Sequence, residues 1–533
     1  MGKYFKLVVC FLGILLWFQL TAFTASKASD FSNLTTDTTF NSLPGTPLDI
    51  GTRLELFVDD YLIDRLTGNA ELRLHHPEPA GIAIVHDEPW EGSGSGYHSI
   101  FFDGEKYRMY YKSWQMIIEP GKSIPENSIC CSYALSYDGK HWYKPVLNLY
   151  EFQKSKANNI VFIKGLMGGV YADGGHPAVF RDENPDAPAD ARYKAVLVGT
   201  KKRGLFAFKS FDGIHWTPMS QEPIITNGAF DSQNLAFWDS KIGEYRAYWR
   251  YFDKDTKDKF YQGIRGIRTA KSKDFINWYD EKDVVYVNSP PEHLYTNVVK
   301  PYSRAPHILI GFPERYIDRG WSESMRALPD PEHREMRSKA NPRYGTALGE
   351  ALFMASRDGV LFKRWNEGFL RPGIEREGTW IYGQQSIGWS ILETKSDLEG
   401  NAPNELSLYA LESGWTGTSD VLRRYTLRLD GFVSVYAPMK GGELFTKPLT
   451  FTGDTLVINF SSSAAGDIQV EIQDQNGKPI PGYTLADCPE IFGDTIERAV
   501  TWTNGSSLSS LRGTPVRLHF ALKDADLFSF KFQ

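Results

Sequence analysis

Carboxylates set just ahead of short apolar strands recur along this chain. Asp87 and Glu91 stand in His86-Asp-Glu-Pro-Trp-Glu91, Asp173 in Ala172-Asp-Gly-Gly-His176, Asp231 in Phe230-Asp-Ser-Gln-Asn234 and Glu314 in Phe312-Pro-Glu-Arg-Tyr316. If these stretches converge on one cavity, two of the carboxyl groups suit hydrolysis of a glycosidic bond. One protonates the leaving oxygen, and the other attacks the anomeric carbon or activates water. Polar residues stand at matching positions: His98, His176, Gln233, Arg250, Asn297, Gln384 and Gln385. The histidines suit sugar hydroxyls or a bound ion, and Arg250 suits an acidic sugar or a phosphate. Each residue also has a structural reading. Glu314 can pair with Arg315 or Arg319, Asp231 can cap a turn beside Ser232, and Asp173 can serve the turn at its two glycines. Asp87 can sit in a surface loop, the histidines can be buried and satisfied, and Arg250 can join an ion pair.

The elements that would gather these residues are marked by a hairpin motif. Ser136-Tyr-Asp-Gly-Lys-His-Trp142, Ser210-Phe-Asp-Gly-Ile-His-Trp216 and Ser272-Lys-Asp-Phe-Ile-Asn-Trp278 are close copies. Ser356-Arg-Asp-Gly359 is a looser copy, and Arg428-Leu-Asp-Gly431 has lost the serine and the tryptophan. In each, an extended run ends in a tight turn that favours positive φ, and the chain re-enters a strand. Five hairpins at roughly even spacing predict radial repetition, one four-stranded sheet per repeat, and hence a five-bladed β-propeller. The innermost strands of a propeller converge on its axis, so residues at their opening ends share one pocket.

After Tyr436 the pattern stops. Runs such as Leu456-Val-Ile-Asn-Phe460 and Val516-Arg-Leu-His-Phe520, with the Asn476-Gly477 turn, predict a C-terminal β-sandwich. The fold class is therefore all-β, with the propeller over 49–436 and the sandwich over 437–533. The strand-like run Leu54–Ile63 is expected to close the ring against the last blade, and Asp59 and Asp60 within it to serve as caps. The charged stretch from Ser322 to Arg343 reads as a long surface loop.

Lys3 and Lys6 precede an apolar run from Leu7 to Phe23 and then small, polar residues. That order predicts a signal peptide over 1–28, an exposed leader over 29–48, and a secreted or periplasmic protein not inserted in the membrane after cleavage. A formal net charge of −6 with no long basic block argues against nucleic acid as a partner. Cys130, Cys131 and Cys488 read as buried small residues, and no pair of cysteines has zinc-ligand spacing. No metal or other cofactor is expected, and the partner is a carbohydrate that the chain's 14 Trp, 27 Tyr and 33 Phe can help to line.

The five blades, the Ser-x-Asp-Gly-x-x-Trp hairpins and the acidic residues at the blade openings resemble the five-bladed propeller glycoside hydrolases of families 32, 43, 62, 68, 117 and 130. The resemblance covers roughly residues 50 to 435. It implies a first-blade aspartate as base or nucleophile, a second aspartate that stabilises the transition state, and a later glutamate as acid. Carried over by position, these are Asp87, Asp231 and Glu314, with Asp173 a further catalytic candidate. The chain lacks the Asn-Asp-Pro-Asn-Gly, Arg-Asp-Pro and Glu-Cys signatures found in parts of that group. The expected activity is exo-acting hydrolysis of a plant or algal glycan. A non-catalytic glycan-binding propeller and a polysaccharide lyase are the alternatives.

Overall fold

The computed structural model describes residues 46–119, 122–125, 129–256, 259, 261–389, 391–415 and 420–533. The expected signal peptide, nearly all of the leader and Cys10 lie outside the described residues. No helix among the described residues is long and apolar enough to cross a membrane.

Five sheets form the blades of a propeller. Blade one is Gly96–Phe102, Tyr107–Ser113, Cys130–Ser136 and Ile160–Ile163. Blade two is Ala178–Arg181, Tyr193–Val198, Leu205–Ser210 and Thr217–Pro218. Blade three is Leu235–Asp239, Glu244–Phe252, Arg265–Ser272 and Trp278–Asp283. Blade four has Lys300–Tyr302, Ala305–Gly311, Met354–Ser356 and Leu361–Arg364, and Val285–Val287 adds a parallel edge. Blade five is Leu392–Thr394, Glu405–Glu412 and Asp420–Arg428, completed by Glu78–His86 from the start of the chain.

That last pairing corrects one expectation. The ring is closed by Glu78–His86, not by the run from Leu54 to Ile63. Leu48–Gly51, Glu55–Leu56, Ile63–Gly68 and Glu71–Leu74 join the C-terminal strands in a hydrogen-bonded sheet of ten strands. These strands, which the sequence reading placed in the propeller from residue 49 onward, therefore belong to this second sheet. Its longest members, Leu456–Asp474 and Val516–Phe532, run antiparallel along most of their length. Leu444, Ile458, Val470, Phe520 and Phe530 form its own core, each with 0 % exposure. Asp59 and Glu55 bind Arg357 of blade four, which ties the two parts together.

The hairpin motif proves to be a latch. Ser136 Oγ accepts the N–H groups of Asp138 and Gly139, and Asp138 Oδ1 accepts those of Lys140 and His141. The same bonds recur at Ser210 and Asp212, and at Ser356 and Asp358. The glycine carbonyl then accepts from a tyrosine of an adjacent blade: Tyr110 to Gly213 at 2.9 Å, Tyr248 to Gly359 at 2.7 Å, and Tyr409 to Gly139. At the third copy Phe275 adopts φ +68° in place of glycine, and its ring packs on Phe180 and Tyr245.

The charged insert is not a loop. It folds as helices Glu323–Ala327, Pro331–Ala340 and Arg343–Thr346, the first capped by Ser322 Oγ accepting from the Met325 N–H. Pro331 suits the first turn of the second helix. Arg334, fully buried, donates to the carbonyls of Pro329 and Trp380 and anchors this helix to the region before blade five.

Candidate functional site

On the axis a cavity opens among three regions. Blade one contributes Tyr97, His98, Lys112 and Trp114, the segment around blade four Tyr295 and Glu314, and blade five Tyr382, Ser386 and Trp415. Its walls are largely aromatic. Trp114 and Trp415 meet edge-on at 5.7 Å between centroids, and Tyr382 and Trp415 at 5.0 Å. Tyr344 of the helical insert stacks on Tyr382, so the insert backs one wall. Non-glycine residues in the left-handed region sit where the chain approaches the axis: Tyr97 at φ 52°, Val298 at 49° and Gln385 at 61°. Such conformations persist where surrounding contacts over-determine them, and they cluster at functional sites.

Glu314 begins the strand Glu314–Asp318, which pairs with Ala347–Ala351. Its side chain is 3 % exposed. Burial pushes the carboxyl up to about 7, against a hydrogen bond from Ser386 and the positive charges of Arg265 and Arg250. Gly349 leaves the space it fills: a Cβ there would lie 2.5 Å from Glu314 Oε1. Neither Arg315 nor Arg319 pairs with it; Arg315 binds Glu350 and Glu292.

Two further candidates stand close enough to share the field of Lys112. Burial lowers that lysine to about 8, and Asp173 and Asp231 both oppose the fall. Asp231 is ion-paired with buried Arg250 while keeping its side chain 56 % exposed. Asp173 is hydrogen-bonded to His176, whose ring lies 5.1 Å from that of Tyr97. Arg250 Cζ is 4.9 Å from the Tyr295 ring centroid.

His98 lines the cavity and ends a buried relay. Asp420 accepts from His86 Nδ1 at 2.7 Å and from the Ser95 N–H at 2.7 Å, and His86 Nε2 lies 3.3 Å from His98 Nε2. With His86 Nδ1–H committed to Asp420, His86 Nε2 accepts from His98 Nε2–H. Burial, helped by His86, holds His98 well below the usual histidine range, so it is neutral.

The other predicted residues stand elsewhere. Asp87 is on the outside, 64 % exposed and bound to Lys144 at 3.0 Å, away from the cavity wall. Glu91 is fully buried, bonded to Lys144 and to the Tyr111 hydroxyl. Gln233 donates to the carbonyls of Tyr97 and Pro177 and to Ser99 Oγ, which ties three blades together at the axis. Asn297 is buried and accepts from the N–H groups of Val299 and Phe312. Gln384 accepts from the Ile381 N–H, and Gln385 donates to the Tyr425 hydroxyl; neither faces the cavity. Reading the repeat alone missed Tyr97, Lys112, Tyr295, Tyr382 and Ser386. Lys112, placed between Tyr111 and Ser113 in an aromatic strand, was the legible signal among them. Cys130, Cys131 and Cys488 are buried and unpaired. Among the described residues no three His, Cys, Asp or Glu side chains gather as a metal site.

No protein-family model matches the sequence, and no curated protein matches it. Solved structures do resemble it. A glycoside hydrolase is 12 % identical with a TM-score of 0.40, over 66 % of this protein and 92 % of that one. An endo-arabinase from Bacteroides thetaiotaomicron is 13 % identical with a TM-score of 0.37, over 65 % and 98 %. An N-acetylgalactosamine deacetylase from F. plautii, in complex with blood group B trisaccharide, is 10 % identical with a TM-score of 0.39, over 66 % and 95 %. At these identities the likeness is one of fold, and function must be argued from the site.

Proposed function

We propose that this protein is a glycoside hydrolase acting on a plant or algal glycan, with Glu314 as general acid. The observation that carries the reading is a carboxyl held protonated to about 7, buried at the wall of an aromatic cavity on the propeller axis. An acid with that value donates its proton to a leaving oxygen at neutral pH. Asp231, exposed and ion-paired with Arg250, is the carboxylate partner, and Asp173, bonded to His176, acts with it on Lys112. Asp87, on the outside, has no part in the chemistry. Aromatic walls suit the apolar faces of sugar rings. The protein acts after export, in keeping with its charged and apolar N-terminus.

A second reading is favoured by one observation. Tyr97, Tyr295, Tyr382 and His98 line the cavity, side chains of the kinds that elimination from a uronate by a polysaccharide lyase could use. One experiment separates the two. Wild type and Glu314→Gln are incubated with a broad panel of plant and algal glycans, and products are followed by reducing ends and by ultraviolet-absorbing unsaturated uronates. Reducing ends without unsaturation, lost in Glu314→Gln, are expected. Unsaturated products would replace the hydrolase with the lyase, and hydrolysis that survives Glu314→Gln would move the acid elsewhere.

A further inference from the structure

We infer that the cavity takes a sugar bearing an anionic group, a uronate carboxylate or a sulfate ester, held by Arg265 and Arg343. The inference rests on reading the cavity as a glycan site. Its basis is a charge left open. Elsewhere in the blades arginines find carboxylates: Arg108 with Asp103, Arg246 with Asp239, and Arg268 with Asp283. Among the described residues, Arg265 and Arg343 have no carboxylate within ion-pair distance.

Neither arginine is itself a lining residue; each packs against a tyrosine that lines the cavity. Arg265 Cζ lies 4.5 Å from the Tyr316 ring centroid and 5.4 Å from that of Tyr295. Arg343 Cζ lies 5.4 Å from the centroid of Tyr382, and its charge bears on Tyr316 as well. Tyr295 and Tyr382 line the cavity and are joined through their hydroxyls at 3.2 Å. The Arg265 side chain bonds to the ring of His293, while its buried Nε has no partner. Both side chains are half-buried, so a ligand can reach them and they are partly shielded from water.

The balance of charge points the same way. Near the cavity, Asp173 and Asp231 act on Lys112 and Asp231 pairs with Arg250, while Glu314 is held protonated up to about 7 and Arg265 and Arg343 have no carboxylate within ion-pair distance among the described residues. A planar guanidinium stacked on tyrosine presents its remaining N–H groups in a fork that fits carboxylate or sulfate oxygens. A neutral sugar would leave those donors and that excess charge uncompensated in a partly desolvated wall.

The test is calorimetric binding to the full-length Glu314→Gln protein, which cannot turn substrate over by the proposed route. The probes are galacturonate and glucuronate oligosaccharides, their methyl esters, a sulfated galactan oligosaccharide and its unsulfated counterpart. The expected result is that the acid or sulfated form binds about tenfold to a hundredfold tighter than its neutral counterpart. That preference should collapse in Arg265→Gln and in Arg343→Gln, with thermal melting of each confirming the fold. Preference for the uronate assigns a carboxylate, and preference for the galactan sulfate assigns a sulfate ester. Equal or tighter binding of the neutral forms, or no binding of any anionic probe, would overturn the inference. Hydrolysis of neutral glycans would leave the hydrolase reading standing while this one falls. Selective binding of acids without turnover by wild type would do the reverse.

Discussion

The ring of hairpin latches and the axial cavity use carboxylates and tyrosines to opposite ends. In a latch, Asp212 meets the N–H groups of Ile214 and His215, and the Tyr110 hydroxyl meets the Gly213 carbonyl. Donors and acceptors close on one another. In the cavity, among the described residues, Glu314 is buried without an ion pair, Arg265 and Arg343 lack carboxylates, and Tyr97 holds a left-handed backbone. The difference shows where this molecule spends stability on function. The backbone groups of the turns are satisfied by the motif's own side chains, whereas the buried Arg265 Nε beside the cavity has no partner.

The comparison breaks most visibly at Glu314. Glu314→Gln should lower the rate by about a hundredfold to ten-thousandfold on whichever glycan is cleaved. The rate of wild type should also fall as pH rises through about 7, where the acid loses its proton. A flat profile through that range would count against the assignment.

The same variant should be the more stable protein in alkali. The folded carboxyl holds its proton to about 7 against an ordinary 4.5, so wild type loses stability relative to Glu314→Gln as pH rises between those values. The full difference is about 3 kcal/mol. Denaturant titrations at acid and mildly alkaline pH would measure it, and equal differences at both would show that the carboxyl is not buried as described.

Substitutions in the latches should show the reverse pattern, with stability lost and specific activity kept. Gly359→Ala forces a Cβ to within 2.4 Å of Arg246 Nη1 at φ +83°, for a loss of about 1–3 kcal/mol. Tyr248→Phe removes the hydroxyl that donates to the Gly359 carbonyl and should cost about 1 kcal/mol. If either changed turnover by the folded fraction more than its stability, the division between the two regions would be blurred.

The propeller was legible because its signals are local: a serine, an aspartate and a glycine within four residues mark three of the turns, and the other two keep the aspartate. Ring closure was not. Glu78–His86 pairs with Asp420–Arg428, and Leu48–Gly51 with Leu449–Phe451, across most of the sequence, where register leaves no short-range mark. The helical insert was legible in principle, since Pro331 and the charged run after it suit a helix, but its polarity reads equally as a loop. The proposed acid Glu314 and its proposed partner Asp231 stand out when the repeats are aligned. Asp87 stands at an equivalent place in sequence, yet a turn at Pro89 and Trp90 and the pull of Lys144 leave it outside. The tyrosines and arginines of the cavity were hidden by abundance, because rings and guanidinium groups fill the blade interfaces as well.

The proposed chemistry depends on Glu314 being protonated at neutral pH. Proton release from wild type minus that from Glu314→Gln, titrated from acid to mildly alkaline pH, reads this directly. One proton should leave with a midpoint near 7. A midpoint near the ordinary 4.5 would mean that the cavity holds a carboxylate instead, and the general acid would have to be sought among other residues.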